Sequence, residues 1–525
     1  MRNTIFLVLA FLLVFTGAFA FLKWLSWFWF ILLVFLSLLG IYDSFQKKHT
    51  ILRNFPVIGH LRYLLEMLRP EIKQYFIESN ITEYPIARIY RSLVYEEAKG
   101  VLETVPFGSE LDQYASDYKW VNHSCFPTNV TEEDFRVTIG NKQCSQPYSA
   151  SLFNISAMSF GSISNAAITA LGRGAKAGNF FHNTGEGGLS PYHLETGADL
   201  VWQLGTAYFG ARDKRGYFDP VLFREKSVHP HMKMIEIKIS QGAKPGHGGI
   251  LPGVKVDKEI ADIRKVEIGK TVISPPGHTA FTNPKELCLF IQQLRELCGG
   301  KPVGFKLCLG RREEFLKICE AMLELKIYPD FITVDGGEGG TGAAPFDFLN
   351  FVGSPLKEAL YFADHTLKQY ELREHIKLIA SGKVFSGFNL FEKLALGADL
   401  CNSARGMMLA LGCIQAYRCN TNKCPVGIAT TDASLIAGLD ITDKAQRVMR
   451  FHRKTILSLG DLIAAVGLHC PDDVGLKHIS CRQDGQILTL AELFEGTKEL
   501  STHEEHDRKI KSQGEPKAPT PPKED

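Results

Sequence analysis

The N-terminal end of the chain is almost continuously apolar and contains two long apolar runs, at residues 4–21 and 25–42. Each run is near the length that a helix needs to cross a bilayer, and a short turn containing Lys23 separates them. More basic charge follows the second run, at Lys47, Lys48 and Arg53, than lies in the turn. Both ends are therefore expected on the cytoplasmic side. The pattern predicts a multi-pass transmembrane hairpin over residues 1–45 that holds the rest of the chain at the cytoplasmic face of the inner (cytoplasmic) membrane.

A signal peptide ending at residues 18–20 and followed by a single span is the alternative. It fits less well, because the start is weakly charged and the apolar core is long for a signal sequence.

From about residue 150 to 430, short apolar runs that are rich in β-forming residues alternate with helical stretches. The runs are SLFNISAMS, MKMIEIKIS, PVGFKLCL, DFITVDGG, IKLIASG and ADLCNSARG. Glycines and polar residues follow the apolar part of each run, where the ligand-binding loops of a barrel gather. No G-x-G-x-x-G opens a helix after the first run, which disfavours an open dinucleotide-binding sheet. The pattern predicts an α/β fold, an eight-stranded (β/α)8 TIM barrel.

Four regions are expected along the chain: the membrane anchor at 1–45, a small connecting subdomain at 46–145, the barrel at 146–480, and a C-terminal extension at 481–525. The extension ends in a charged, proline-rich tail from about residue 501 that is expected to be disordered.

The composition of the chain limits the classes of binding partner that can be expected. Lys and Arg number 59 against 57 Asp and Glu, so the net charge of +2 gives no reason to expect a nucleic-acid partner. Small metabolites stay open as substrates. The 12 cysteines are spread along a long chain, which favours reduced thiols in a cytosol-facing domain.

Three of these cysteines, Cys413, Cys419 and Cys424, follow one another as C-x5-C-x4-C. Thiolates bind soft metals and clusters, so the spacing suits an iron–sulfur cluster, with three irons or with a fourth ligand from elsewhere. Three ordinary buried thiols are the alternative at this point. Zinc is less favoured, because no C-x2-C pair or nearby histidine completes a tetrahedral site.

Two loops after the last predicted strands, residues 379–383 and 402–406, combine small residues with the cations Lys383 and Arg405. Barrels often bind phosphate after strands seven and eight, so these loops predict a phosphate site. Tight turns whose glycines serve only the backbone are the alternative.

Two glycine-dense stretches, residues 334–342 and 240–249, must bring backbone close to another group. That group is either the edge of a flavin ring or a second packed loop. The second stretch also carries Lys244 and His247, which offer charge and proton chemistry, although a single loop histidine is more often simply solvated.

Taken together, MSFGSIS at 158–164, NTGEGG at 183–188, KISQGAKPGHGG at 238–249, FKL at 305–307, DGGEGGTGAAP at 335–345 and the cysteine loop resemble the FMN-binding central domain of glutamate synthase. The resemblance covers residues 150 to 435 in the same order. It implies a (β/α)8 barrel, a bound FMN, and a three-iron, four-sulfur (3Fe-4S) cluster held by Cys413, Cys419 and Cys424.

The resemblance also implies roles for individual residues. Met158 and Ser159 would contact the flavin ring, and Gln203 and Lys306 would lie at its polar edge. Gly336 and Gly337 would pass beneath it, and Ser381, Gly382 and Arg405 would hold its phosphate. Lys244 and Arg264 would hold a dicarboxylate keto acid. Lys306 and Lys244 are thus the expected catalytic residues.

The implied reaction is the formation of an amino acid from 2-oxoglutarate and ammonia. Ammonia is expected from solution or a separate glutaminase subunit, and electrons from a ferredoxin-like protein or a reductase subunit. His247 and Ile250 stand where larger glutamate synthases usually carry a glutamate and a glutamine. Asn165 and Ala166 stand where the family often has a glutamate after the MSFGSIS-like motif, and Lys383 stands where a second glycine is common in the phosphate loop.

Two other interpretations therefore stay open: an FMN and iron–sulfur enzyme for a different small metabolite, and a non-catalytic membrane-tethered barrel. Lys306 and the three cysteines argue against the second, because a scaffold has no use for converging thiolates.

Overall fold

The computed structural model describes residues 2–21, 27–101, 104–131 and 135–496. The chain divides into two compact units, Met1–Arg88 and Ile89–Asp525, with the boundary inside the segment predicted as a connecting subdomain. The proline-rich tail and the predicted turn around Lys23 lie outside the described residues.

The N-terminal unit is helical. Its helices are α1 (Arg2–Phe21), α2 (Trp27–Phe45), α3 (Thr50–Asn54) and α4 (Gly59–Ile72), and one π-helical turn, Lys73–Ile77, continues α4. Helix α1 packs on α2, where a Cβ added to Gly17 would lie 3.2 Å from Phe30 Cε2. In the described part of the chain, one helix, α2, passes the length and hydropathy test for a membrane span. Core helices and signal sequences also pass this test, so the membrane hairpin stays a prediction.

The second unit begins with α5 (Arg88–Lys99) and the short strands β1 (Lys119–Val121), β2 (Arg136–Ile139) and β3 (Tyr148–Ser151). The remaining strands are β4 (Phe153–Ile155), β5 (His182–Asn183), β6 (Leu200–Leu204), β7 (Met232–Lys238), β8 (Ile250–Leu251), β9 (Val272–Ile273), β10 (Val303–Leu307), β11 (Phe331–Asp335), β12 (Lys377–Ser381), β13 (Leu400–Ser403), β14 (Ile479–Gln483) and β15 (Gln486–Thr489).

The helices of this unit are α6 (Asn165–Gly178), α7 (Pro191–Leu194), α8 (Pro220–Ser227), α9 (Lys258–Arg264), α10 (Pro284–Leu297), α11 (Arg312–Leu325), α12 (Phe346–Phe351), α13 (Leu356–Gln369), α14 (Gly387–Ala395), α15 (Arg405–Ala410), α16 (Ala433–Ile436) and α17 (Ile441–Val466). Short 3-10 turns lie at Gly253–Lys255, Pro471–Asp473 and Leu476–His478.

Eight parallel strands close into a barrel in the order β4, β5, β6, β7, β10, β11, β12, β13, and β13 pairs with β4 to complete the ring. The six runs identified in the sequence each supply one of these strands, while β5 and β6 were not anticipated. Strands β12 and β13 are the seventh and eighth in chain order, as the predicted phosphate loops require. The predicted (β/α)8 barrel is confirmed.

Outside the barrel, β1, β14 and β15 form a small antiparallel sheet that joins the segments before and after the barrel. Helix α17 packs along α6, and a Cβ added to Gly174 would lie 2.8 Å from the carbonyl oxygen of Ala445. Glycine at this position therefore allows the two helices to approach closely.

Lowering the pH below about 6.5 should reduce the free energy of unfolding, because fully buried histidines are neutral in the folded chain. His182 is 0% exposed, and burial lowers its pKa from the ordinary histidine value of 6.5 to about 3. The stabilisation is complete above the unfolded pKa and is lost as the pH falls toward the folded one. His182 alone should cost about 1.4 kcal/mol for each pH unit in that window, measured by urea denaturation at several pH values.

The matched variants are His182→Asn, which removes the titrating ring, and His469→Asn, which changes an exposed histidine. The pH dependence of unfolding should become shallower in the first and stay unchanged in the second. An equal pH dependence in His182→Asn and the unmodified chain would contradict the assignment.

Candidate functional site

A network of buried polar side chains lies inside the barrel and centres on Glu236 of β7, which is 1% exposed. Its carboxylate accepts hydrogen bonds from Gln203 Nε2 at 2.6 Å, Asn183 Nδ2 at 2.8 Å and Thr333 Oγ1 at 2.7 Å. The donors come from β5, β6 and β11, so one carboxylate joins four strands. Because Gln203 Nε2 donates to Glu236, the side-chain carbonyl oxygen of Gln203 is the atom that can accept a hydrogen bond from a ligand.

Lys306 of β10 is 5% exposed, and its Nζ lies 3.0 Å from Asp335 Oδ2. Burial lowers the pKa of Lys306, but Asp335 and Glu236 outweigh this effect and the net shift is upward. The ammonium group is therefore held charged inside the barrel. Asp335 Oδ2 also accepts a hydrogen bond from the Gly242 N–H at 3.0 Å, which attaches the 240–249 loop to this ion pair.

A second charged cluster lies at the loops that follow the strands and centres on Glu186. Lys238 Nζ contacts Glu186 Oε1 at 2.6 Å. Burial raises the pKa of Glu186, but Lys238, Lys244 and Arg264 together lower it below its usual value. The structure thus brings the predicted substrate residues Lys244 and Arg264 to a common carboxylate.

Both predicted substrate cations are buried. Lys244 is 3% exposed, its Nζ donates to the Ala343 carbonyl at 2.8 Å, and burial with Lys238 nearby lowers its pKa to about 8. Arg264 is 4% exposed, its Nη2 donates to the Phe160 carbonyl at 2.8 Å, and burial lowers its pKa to about 10. The Nε of Arg264 is buried without a hydrogen-bond partner. Two cations held this way are suited to binding an anion.

The loop after β4 carries Met158 and Ser159 next to this cluster. Arg264 Nη2 lies 3.3 Å from Ser159 Oγ. A Cβ added to Gly187 would lie 2.7 Å from Arg264 Nη2, and one added to Gly185 would lie 2.7 Å from the Ser159 nitrogen. The glycines of the 183–188 motif therefore allow the two loops to pack directly against each other.

The predicted phosphate residues come together at the ends of β12 and β13. Ser381 Oγ lies 3.3 Å from Ser156 Oγ, and Gly382 has a φ of +141°. Arg405 Nη2 donates to the Glu338 carbonyl at 2.8 Å. Burial lowers the pKa of Lys383, and the nearby Arg405 lowers it further. The two cations lie close enough to repel each other, and Glu338 interacts with both of them.

Gly336 and Gly337 lie against other loops of the protein. A Cβ on Gly336 would lie 2.6 Å from Leu356 Cβ, and one on Gly337 would lie 2.7 Å from the Gly353 carbonyl. Packing against neighbouring loops already requires glycine here, so a cofactor above these residues stays a prediction.

The cysteine loop packs on the start of α6, where Ser164 donates from its backbone nitrogen to Ile428 O and from its hydroxyl to Gly427 O, both at 2.7 Å. All three cysteines are free thiols. Burial raises the pKa of Cys413 to about 11, and Cys419 and Cys424 raise it too, so the three thiols lie close enough to interact. Among the described residues, no group of three His, Cys, Asp or Glu side chains is arranged to hold a single metal ion.

Lys255, which is 2% exposed, lies beside this loop and donates to the Ser162 carbonyl at 2.9 Å. Burial lowers its pKa to about 8, while Cys419 and Cys424 raise it.

The sequence analysis did not assign roles to Glu186, Lys238, Glu236 or Asp335. Glu186, Lys238 and Asp335 lie within the glycine-rich motifs that carry the family resemblance. The signal for Glu236 was a lone carboxylate in the apolar run MKMIEIKIS. A charge at such a position requires a buried partner.

A family model for the conserved region in glutamate synthase matches residues 109–469. The glutamate synthase large subunit-like protein YerD of Bacillus subtilis is 39% identical over 86% of this chain and 94% of its own length. The archaeal glutamate synthase (NADPH) of Methanocaldococcus jannaschii is 34% identical over 60% of this chain, and the match spans 59% of that protein.

Among solved structures, a mandelate oxidase mutant with an FMN adduct covers 82% of this chain and 99% of its own at 13% identity, but the TM-score of 0.42 is too low to carry an argument. The family model and the relative that is 39% identical over most of both chains show that this chain belongs to the glutamate synthase family of oxidoreductases.

Proposed function

We propose that this chain is an FMN- and iron–sulfur-dependent oxidoreductase that converts 2-oxoglutarate and ammonia to glutamate. The observation that carries the proposal is the cluster of buried cations around Glu186, next to the charged network of Lys306. The relatives named as glutamate synthases support the same reaction class.

The residues of the barrel mouth fit FMN at two ends. Lys383 and Arg405 bring two positive charges together, which suits a phosphate, and Ser381 and Gly382 lie beside them. Inside the barrel, the side-chain carbonyl oxygen of Gln203 would accept a hydrogen bond from the polar edge of the ring. Lys306 would hold a positive charge near that edge, which favours an electron-rich ring. When bound, FMN would supply the hydride that reduces the imine of the keto acid and ammonia to the amine.

The substrate cluster fits a dicarboxylate by charge. Lys238, Lys244 and Arg264 carry three positive charges and Glu186 carries one negative charge, which leaves the two that a dicarboxylate neutralises. The pKa of Lys244, about 8, keeps its side chain mainly protonated at neutral pH. Lys244 and Arg264 would each hold a carboxylate and orient the carbon that accepts the hydride.

The cysteine loop fits an anionic cluster because of Lys255. This ammonium is buried, and its interacting acidic groups are Cys419 and Cys424. A buried cation needs a nearby anion, and cluster thiolates would supply one. A cluster places one thiolate on each of several irons, so it does not need three side chains around a single ion. Cys413, Cys419 and Cys424 would hold a 3Fe-4S cluster that passes electrons from a ferredoxin-like protein or reductase subunit.

The N-terminal unit would anchor the enzyme in the membrane through α1 and α2, with the barrel on the cytoplasmic side. The exposed apolar surface of α2 and the basic residues that follow it support this location. Ammonia would come from solution or a separate glutaminase subunit.

Protein purified without air should show flavin absorption bands that change on titration with 2-oxoglutarate. The apparent affinity should fall as the pH rises through about 8, because Lys244 then loses its proton. Lys244→Met should weaken binding and remove this pH step, whereas Lys270→Met, at an exposed position, should do neither. A colourless protein would reject the cofactor assignment. Flavin bands that do not respond to 2-oxoglutarate would reject this substrate and favour a different small metabolite.

Replacing Glu236 with Gln should weaken the binding of FMN and lower the stability of the barrel. The change replaces a charged acceptor of three buried hydrogen bonds with a neutral one, and it also removes a charge that keeps Lys306 protonated. We expect a loss of about 1–3 kcal/mol in the free energy of unfolding. Thr333→Val, which removes a single hydrogen bond, is the control and should cost less. Equal stability and FMN affinity in Glu236→Gln and the unmodified chain would contradict the role of this network.

Cys419→Ser should abolish the broad visible absorption and the paramagnetic resonance signal of the cluster while keeping the flavin bands, because one thiolate ligand is lost. Cys288→Ser, a buried cysteine in α10, should retain both signals. A Cys419→Ser protein with the full iron content and an unchanged resonance signal would disprove the ligand assignment.

A further inference from the structure

Helix α4 carries a continuous stripe of large apolar side chains that are exposed. The stripe is formed by Leu61, Leu64, Leu65, Leu68 and Ile72, with exposed fractions of 56, 46, 52, 41 and 38%. Spacings of three and four residues place them on one face of a helix. The turn that follows extends the stripe with Phe76, which is 86% exposed. An apolar face of this kind marks a binding surface.

Basic side chains flank one border of this stripe. At 100° per residue, Arg62, Arg69 and Lys73 fall on the same side of the helix, between the stripe and the polar face. Across residues 46–77 six Lys or Arg residues stand against two Glu residues. Basic clusters next to a membrane span bind anionic lipid headgroups, and a helix with an apolar face and a basic flank lies in the plane of the membrane surface.

The start of α4 is held at the end of α2. Asp43, in the last turn of α2, is 0% exposed and accepts a hydrogen bond from the Val57 N–H at 2.9 Å. His60 Nε2, in the first turn of α4, lies 2.9 Å from Asp43 Oδ1. If α2 crosses the bilayer, its C-terminal end lies at the headgroups, so α4 begins at the depth where an in-plane helix binds.

We propose that α4 and the turn up to Ile77 bind the surface of an anionic phospholipid bilayer, with the leucine stripe among the acyl chains and the basic flank at the headgroups. The proposal rests on the membrane anchor proposed above. Lipid is favoured over a second protein surface because the basic flank borders the stripe and because Asp43 holds the helix at the end of the span.

The test uses the full chain in lipid nanodiscs, with the photo-reactive residue p-benzoylphenylalanine at one position at a time. At Leu68, on the stripe, illumination should give mainly lipid adducts by mass spectrometry. At Tyr63, which lies opposite the stripe on the same helix, lipid adducts should be several-fold fewer. At Phe35, an exposed residue of α2, lipid adducts report the anchor itself.

Lipid adducts at Phe35 but not at Leu68 would overturn the α4 proposal and leave the anchor standing, whereas lipid adducts at neither position would overturn both. Cross-links from Leu68 to a second copy or to the barrel unit would also overturn the proposal, because protein would then cover the stripe.

A charge variant tests the lipid class. In discs of phosphatidylcholine alone the adduct yield at Leu68 should be several-fold lower than in discs that also contain phosphatidylglycerol. Replacing Arg62, Arg69 and Lys73 together with Gln should remove this difference, because the electrostatic attraction is lost. The matched control is Lys317→Gln, a change at an exposed position on the barrel helix α11, which should keep the difference. Equal yields in both lipids for the unmodified flank would overturn the basic-flank assignment.

Discussion

The ion pair between Lys306 and Asp335, completed by Glu236, is the interaction on which the interior of the barrel depends. Burying one charge without a partner is costly, so these three groups are tolerated only together. Their side chains come from β7, β10 and β11, and Glu236 extends the network to β5 and β6 through Asn183 and Gln203. The closure of the barrel and the charge of Lys306 therefore depend on the same three side chains.

The same reasoning applies to the two ends of the site. At one end Lys383 and Arg405 lie close together, and at the other Lys244 and Arg264 share Glu186 with Lys238. At the Glu186 end, three cations face one carboxylate. Clustered positive charge favours the entry of anions, which is the basis for proposing a phosphate at one end and a dicarboxylate at the other.

The sequence predicted those parts of the fold whose signals are local. Six barrel strands are apolar runs that end in glycine or polar residues, and each could be identified by itself. Strand β5 has only two residues, His182 and Asn183, and is a strand only because its neighbours pair with it. Strand β6, LVWQL, is apolar and is followed directly by Gly205, so its signal is as local as that of the six identified runs.

The site also divides into features with a local sequence signal and features that depend on residues distant in the sequence. The predicted loops and the residues Gln203, Lys306, Ser381 and Arg405 lie at the mouth or interior of the barrel because strand order alone brings them there. The partners Glu186, Glu236 and Asp335 pair across strands that are distant in the sequence, so spacing could not identify them. Gly336 and Gly337 illustrate the opposite case, because packing accounts for a local glycine signal: Gly336 lies against Leu356, and Gly337 lies against the 353–354 backbone.

One turn, residues 159–162, connects the three parts of the site. Lys255, beside the cysteines, donates to Ser162 O, Ser162 Oγ donates to Ser159 O at 2.6 Å, and Ser159 Oγ lies 3.3 Å from Arg264 Nη2. Gly161, with a φ of +95°, lies against Ile260 of the helix that carries Arg264. A larger residue there would displace either the turn or that helix. The cysteine loop, the loop after β4 and Arg264 therefore hold their relative positions through these four residues, so the arrangement of the whole site depends on a compact turn here.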